Sequence, residues 1–261
     1  MIIYRYREAT SFNIKALLDE NINGSLFKLF NDFTELNFEI TEKTLIRFEI
    51  DRQGKEKIIS LLKNHIMDKY YMACFTFNDP FLTNNMWRKY TNEGHGYCLA
   101  YETTDLESNI REQHFGALSM RLVNYNSQPY LIDELIEHIL SNDGVRKELE
   151  NDNIDGAVSK DINRISKIVM EMFVNKHDSC IGEREYRMIL RNDEKSSEPR
   201  NEKMLRVKPK FIVVSESVCH FIKLIILHYS NKNAIPCLII NNPCMGKEYK
   251  LCGTTMIKQN Y

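Results

Sequence analysis

The sequence has almost no net charge and no long apolar run. Its 261 residues hold 35 Lys plus Arg against 36 Asp plus Glu, so no overall field favours a nucleic acid or an anionic membrane as partner. Apolar runs such as FIKLIIL and IPCLII are far shorter than the roughly 20 residues that a membrane span needs. The start, MIIYRYREAT, lacks the apolar core of a signal peptide. We therefore expect a cytoplasmic protein with no membrane partner.

The common cofactor and hydrolase motifs are also missing. No G-x-G-x-x-G and no G-x-x-x-x-G-K-[ST] occurs, which argues against a Rossmann or P-loop nucleotide site. No G-x-S-x-G and no H-E-x-x-H occurs, which argues against the common serine hydrolases and metalloproteases.

The cysteines show no metal-site spacing. Seven are present, with no C-x-x-C, and most lie in apolar runs, which predicts free thiols. A zinc site from Cys237, Cys244, Cys252 and a histidine would need irregularly spaced loop ligands. We therefore expect no metal centre.

The first strand is the clearest local prediction. The run IIYRYR alternates between aromatic and basic residues, so Tyr4 and Tyr6 should share one face and Arg5 and Arg7 the other. A helix should follow, because Thr10 or the next serine can cap it.

The order of elements favours a single α+β domain over residues 1–261. A second helix is predicted at about residues 55–68, from apolar residues at helical spacing. Two further amphipathic helices, YLIDELIEHIL and SKDINRISKIVMEMFVNK, form a mainly helical insertion at about 128–178. The β-rich end that follows favours a mixed, partly antiparallel sheet.

The run EREYRMIL opens with charged residues that should share a face. In a strand, Glu183, Glu185 and Arg187 point the same way, and the Cβ atoms of residues two apart lie roughly 7 Å from each other. Both could touch one small ligand and raise each other's pKa. The alternative is a solvated edge with a cross-strand ion pair.

Six short motifs occur in a fixed order. They are YRYR near the start, FNDFTEL at residues 30–36, ACFT at 73–76, MWRKY at 86–90, GHGYCLAYE at 94–102, and EREYRMIL. Together they resemble a large uncharacterised bacterial family with the pattern Y-x-Y-R, F-N-D-P-F-[DE], C-F-S, M-W-x-x-Y, G-x-C and Y-E-x-E-Y-R. Phe33 stands where that family has proline, and Gly182 where it has tyrosine.

A first strand with arginine and a late Glu-x-Glu strand also look like ADP-ribosyltransferases. That resemblance implies NAD as substrate, bound in a cleft between two small sheets. Glu185 would stabilise the positive charge that develops on the ribose, and Glu183 would orient the acceptor. Arg187 could hold Glu183 or a phosphate.

The arginines of the first strand could complete such a site. Arg5 and Arg7 would bind the diphosphate of NAD, with Arg7 filling the family's recurring position. The alternative is a structural salt bridge, for example to Asp32 or Glu35.

Three further side chains are candidates for ligand contact. Trp87 and Tyr90 share a helix face and could stack on a nicotinamide or a base, although such pairs are commonly core residues. His95 lies between two glycines, in a loop where backbone can approach a ligand. A plain surface histidine is the alternative.

Two classes of function follow. The enzyme hypothesis is an NAD-dependent ADP-ribosyltransferase or NAD glycohydrolase, a toxin or phage-defence effector with a protein or nucleic-acid acceptor and a partner protein. It predicts that Arg7, Trp87, Tyr90, Glu183 and Glu185 border one cleft. The alternative is a non-catalytic nucleotide-sensing or regulatory module of a defence system. Full mutual pairing of the charges would favour a structural role for them.

Overall fold

The computed structural model describes residues 1–29, 37–113, 118–151, 156, 169–191, 202–241 and 243–244. The FNDFTEL motif and much of the helix predicted at 159–176 lie outside these residues. The fold is α+β, with a mixed, mostly antiparallel sheet. The helices whose bounds lie within the described residues are α1 Ser11–Leu18, α2 Glu42–Arg47, α3 Arg52–Lys69, α4 Asn84–Tyr90, α5 Thr103–Gln113, α6 Asp133–Ser141, α7 Asp143–Glu150 and α8 His220–Lys232.

The strands of the described residues are numbered in chain order. They are β1 Ile2–Glu8, β2 Asn21–Leu26, β3 Phe38–Glu39, β4 Tyr70–Thr76, β5 Gly96–Glu102, β6 Leu118–Leu122, β7 Asn124–Tyr125, β8 Tyr130–Leu131, β9 Asn175–Lys176, β10 Glu185–Arg191, β11 Glu202–Arg206, β12 Phe211–Ser215 and β13 Cys237–Ile240.

Local capping explains where the first helices start. The Thr10 hydroxyl accepts a hydrogen bond from the Asn13 amide at the beginning of α1, as the sequence predicts. Asp51 caps α3 in the same way, by accepting from Gly54. The helix predicted at 55–68 is therefore present and begins three residues earlier, at Arg52.

The large sheet is organised around β4. Its strand order is β11-β2-β4-β1-β5-β12-β13, with β10 added to β4 and β6 to β10. The β12–β13 pair is parallel, and the other pairs of this sheet are antiparallel. Two small parallel pairs, β3–β8 and β7–β9, lie apart from it.

One edge of β4 is shared by two strands, and the sheet divides there. Strand β10 pairs with the other edge over its whole length. On the shared edge, β2 pairs at Tyr71 and Met72, whereas β1 pairs only at Thr76. Cys74 therefore lies between the two pairings, where β1 and β2 separate.

The register gives the large sheet two faces of different character. Because Tyr4 and Glu185 both pair with Thr76, these side chains share one face with Tyr6, which we call the tyrosine face. The arginine face is the opposite one, defined by Arg5.

Each face has its own core. On the arginine face, buried residues such as Ile3, Tyr97 and Ile212 pack with α1, α5 and α8. On the tyrosine face there are two clusters. One lies under α4 and contains Tyr6 and Trp87; the other lies under α3 and α6 and contains Met72, Ile189 and Phe173.

Helices occur within the segment that the sequence predicts as a helical insertion. Between 128 and 178 the described residues include α6, α7 and a helical segment at 169–173. Short strands flank these helices, since β8 pairs with β3 and β9 with β7. The insertion thus returns the chain to the start of β10.

Gly96→Ala should destabilise the fold because β1 and β5 approach closely there. A Cβ at Gly96 would lie 2.1 Å from the Arg7 carbonyl oxygen and 2.7 Å from Thr91 Cβ. We expect a loss of about 1–3 kcal/mol in the free energy of unfolding, measured by urea denaturation. Gly182→Ala is the matched control, because nothing lies within 4 Å of its Cβ. Equal losses in both variants would contradict the packing argument.

Candidate functional site

The site forms where the chain turns into β10. The strand starts at Glu185, later than the sequence predicts, and Glu183 instead ends a 3-10 helix that spans Asp178–Glu183. Arg184 joins them in the left-handed conformation, with φ at 45°, which is unfavourable for a residue with a side chain. Although Glu183 is off the strand, this turn brings it to the same lysine that contacts Glu185.

A buried arginine holds Glu185 in a two-pronged ion pair. Arg187 Nε lies 2.9 Å from Glu185 Oε1, and Arg187 Nη2 lies 3.1 Å from Glu185 Oε2. Arg187 also donates to the Phe173 carbonyl at 2.6 Å. Arg187 is fully buried and Glu185 is 4% exposed. Arg187 therefore binds Glu185, which corrects the prediction that it holds Glu183 or a phosphate.

Two lysines complete the charge network. Lys176 Nζ lies 3.0 Å from Glu183 Oε2 and 3.3 Å from Glu185 Oε2, and its side chain is buried. Lys89, on α4, binds the other oxygen of Glu183. The network thus joins α4, β9 and β10, and pairs two carboxylates with three cations.

The network sets the ionisation of Glu185. Burial alone would raise its pKa, but the charge and hydrogen bonds of Arg187, together with Lys176, lower the pKa to about 2. The expectation that the two glutamates raise each other's pKa is therefore wrong for Glu185, because nearby cations outweigh the second carboxylate. Glu185 is an anion at neutral pH.

A small pocket opens beside the network on the tyrosine face. Its volume is about 50 Å³, well below the roughly 300–1,000 Å³ typical of sites for drug-sized ligands. Both glutamates face it, as do three tyrosines, one of which comes from α4. The lining residues are Tyr4, Tyr6, Cys74, Phe75, Thr76, Met86, Tyr90, Glu183 and Glu185.

The aromatic candidates occupy different layers. Tyr90 lines the pocket and is 37% exposed; burial, and then the charge of Glu183, raise the pKa of its hydroxyl. Trp87 is fully buried and donates its indole N–H to the Pro80 carbonyl. The Trp87 ring packs edge-on against the Tyr6 ring, with 5.2 Å between the two ring centroids. Trp87 therefore belongs to the core and contacts a residue of the pocket wall.

The prediction that Arg7 and Glu185 approach one cavity is wrong. Alternation along β1 places Arg5 and Arg7 on the arginine face, whereas Glu185 lies on the tyrosine face. Neither arginine lines the pocket. His95 is exposed, its Nδ1 lies 2.9 Å from the Asn92 carbonyl oxygen, and it is likewise absent from the pocket lining.

Several residues of the site were not singled out from the sequence. Met86 and Lys89 lie in the MWRKY motif but were not chosen as site residues, and no motif marks Lys176. Their roles depend on how the insertion and α4 pack. Tyr4 and Tyr6 could have been found, because their alternation places them opposite the arginines. Their position beside Glu185, however, requires the register of β4 with both of its neighbours.

The other sequence expectations concern metal, thiols and membranes. The six cysteines in the described part of the chain are free, whereas Cys252 lies outside it. Within the described ranges, no three His, Cys, Asp or Glu side chains are grouped so that they could hold a metal ion. Nor does any helix among those residues have the length and apolar character needed to cross a bilayer.

Comparison with known proteins gives one match. Residues 86–188 match the family model described as "Protein of unknown function (DUF2971)". This span begins at α4 and ends within β10, so it includes the MWRKY and EREYRMIL motifs in whole or in large part, but not YRYR or ACFT. No curated protein and no solved structure matches the chain.

Proposed function

We propose that the chain is a non-catalytic module that senses a nucleotide-type small molecule in the pocket on the tyrosine face. The observation that supports this most is the complete pairing of Glu185 with Arg187 and Lys176. A carboxylate held by two buried cations maintains the fold and the shape of the pocket. It is less suited to stabilise a positive charge that develops on a sugar, because the cations already neutralise it.

The lining of the pocket supports a neutral ligand with N–H or O–H donors. Among the described residues, the network has three cations and two carboxylates, so a cationic ligand would add to the positive charge of these side chains. The carboxylate oxygens retain lone pairs for neutral donors. Phenol rings from Tyr4, Tyr6 and Tyr90 offer flat surfaces for a ring. A nucleobase or nucleoside has both properties.

Entry of such a ring requires movement at α4. A cavity of about 50 Å³ holds a small group and not a whole nucleoside. Tyr90 is the exposed wall of the pocket, and the neighbouring Lys89 is 55% exposed where it binds Glu183. We propose that the Tyr90 ring turns outward and then covers the bound ring. Binding of the ligand would change the packing of Tyr6 and, through this residue, of the core cluster under α4.

The second candidate is the ADP-ribosyltransferase or NAD glycohydrolase. One observation favours it: β10, β4 and β1 are neighbours, so Glu185, Thr76 and Tyr4 face the same pocket. The two candidates differ in turnover. Nicotinamide release from NAD by the wild type, lost in a folded Glu185→Gln variant, would favour the enzyme over the module.

Ligand binding should change the fluorescence of Trp87, the only tryptophan of the chain, because its ring contacts Tyr6 at the pocket wall. We expect a saturable change on titration with adenosine, guanosine, cytidine or uridine. Base–aromatic stacking contributes about 1–3 kcal/mol, so Tyr90→Ala should weaken binding by about 10-fold or more. Calorimetry provides the affinities.

Leu82→Ala is the control, because Leu82 is 80% exposed and does not line the pocket. It should bind the nucleoside as the wild type does. If no nucleoside changes the fluorescence or the melting temperature, or if Tyr90→Ala binds unchanged, the pocket does not hold this ligand.

A further inference from the structure

Two arginines of β1, one buried and one half-buried, lie side by side on the arginine face. Arg5 is 6% exposed, and Arg7 is half-buried two residues further along β1. Both side chains point toward the same acceptor: Arg5 Nη2 lies 2.5 Å and Arg7 Nη2 3.4 Å from the Asn23 carbonyl oxygen. Two like charges therefore converge where β1 and β2 separate.

No carboxylate among the described residues forms a salt bridge with either arginine. Their remaining described contacts are weak, such as the Phe75 ring, whose centroid lies 5.5 Å from Arg5. A guanidinium has several N–H donors and keeps its charge, so one shared carbonyl leaves most of its donors unused. Elsewhere in the sheet the buried Arg187 is paired with Glu185, and this contrast marks Arg5 and Arg7 as unusual.

We infer that Arg5 and Arg7 form an anion-binding site for a phosphate group. Two adjacent guanidiniums match the oxygens of a phosphate in a bidentate manner. The ligand would replace the missing counter-charge and relieve the repulsion between the two cations. Burial and the charge of Arg7 lower the pKa of Arg5 to about 9, which agrees with a cation that lacks an anionic partner.

The anion site and the pocket adjoin through Phe75. This residue lines the pocket, and its ring lies beside Arg5. Arg5 and Arg7 nevertheless lie on the opposite face of the sheet from the pocket, so the two sites take separate ligands. Binding of a phosphate at the arginines does not rest on the proposed function.

The test separates the two sites by using their ligands singly. Sodium pyrophosphate and sodium phosphate are titrated into the purified chain by calorimetry and thermal unfolding, with sodium chloride at equal ionic strength as reference. We expect both to raise the melting temperature above that in chloride, and Arg7→Gln to weaken their binding by about 10-fold or more. Arg5→Gln should do the same. Arg47→Gln, which removes an exposed arginine, should bind as the wild type does.

Unliganded stability provides a second measurement. If the two arginines repel each other, Arg7→Gln melts at the same or a higher temperature than the wild type without phosphate. A marked fall in melting temperature would show that Arg7 is structural and overturn the inference. Equal stabilisation by chloride, or unchanged phosphate binding in both variants, would overturn it as well.

Adenosine and pyrophosphate, each titrated alone, distinguish this inference from the proposed function. If pyrophosphate binds and adenosine does not, the anion site stands and the pocket proposal fails. If adenosine binds and pyrophosphate does not, the reverse holds.

Discussion

Glu185→Gln is expected to lower the free energy of unfolding by about 3–5 kcal/mol. Glutamine keeps the shape of the side chain but removes its charge, which leaves the fully buried Arg187 without its carboxylate partner. Urea denaturation measures the loss. The exposed pair between Arg47 and Glu137 provides the control, and Glu137→Gln should cost less than about 1 kcal/mol.

The same carboxylate makes stability depend on pH in a defined window. The pKa of Glu185 is about 2 in the folded chain, against 4.5 as its ordinary value. Because the pKa is lower in the folded state, ionisation of Glu185 stabilises the folded state. This stabilisation is complete above about pH 4.5 and is lost as the pH falls toward 2, a difference of about 3 kcal/mol. Glu185→Gln should lack this part of the acid sensitivity.

The combined result also distinguishes the two candidate functions. An enzyme that uses Glu185 in catalysis should lose turnover by about 100-fold or more in Glu185→Gln and keep its melting temperature. If the network is structural, Glu185→Gln should instead lower the melting temperature. A Glu185→Gln protein as stable as the wild type would therefore refute the network argument, whatever its activity.

Arg187→Met is the second change with a large expected effect. It should lower the free energy of unfolding by about 3–5 kcal/mol. Methionine fills most of the space, but Glu185 then keeps Lys176 as its one cation at 3.3 Å. Burial, no longer offset by Arg187, should raise the pKa of Glu185. The Phe173 carbonyl also loses a donor. Arg47→Met is the matched control for loss of an exposed arginine.

The double variant Glu185→Gln with Arg187→Met tests whether the two residues act as one unit. Removing both charges leaves no buried ion unpaired, so the double variant should be more stable than the sum of the single losses predicts. Additive losses would indicate that each residue stabilises the fold through separate contacts. Urea denaturation of all four proteins completes the cycle.

Local patterns predicted the elements of the fold well. The alternation in IIYRYR identified β1 and assigned its two faces, and the Thr10 cap and the apolar spacing located α1 and α3. These features depend on neighbours within a few residues, which the sequence displays directly.

The site could be predicted only in part, because it depends on register and on packing between distant segments. The proximity of Glu183 and Glu185 was expected. That Arg7 faces away from them follows from the pairing of both Tyr4 and Glu185 with Thr76, which no local pattern reveals. Lys176 was not anticipated, because only the return of the insertion through β9 places it between the two glutamates.

The position of β4 between β10 on one edge and β1 and β2 on the other also has a consequence for folding. Its partners β1 and β2 are made first, but β10 is about a hundred residues away along the chain and β11 further still. Such non-local pairing makes folding slow and leaves strand edges exposed while the chain is synthesised. The buried charges of β10 can pair with the insertion only after β10 has been synthesised and has paired with β4. The central strand of the sheet is therefore among the last to be enclosed.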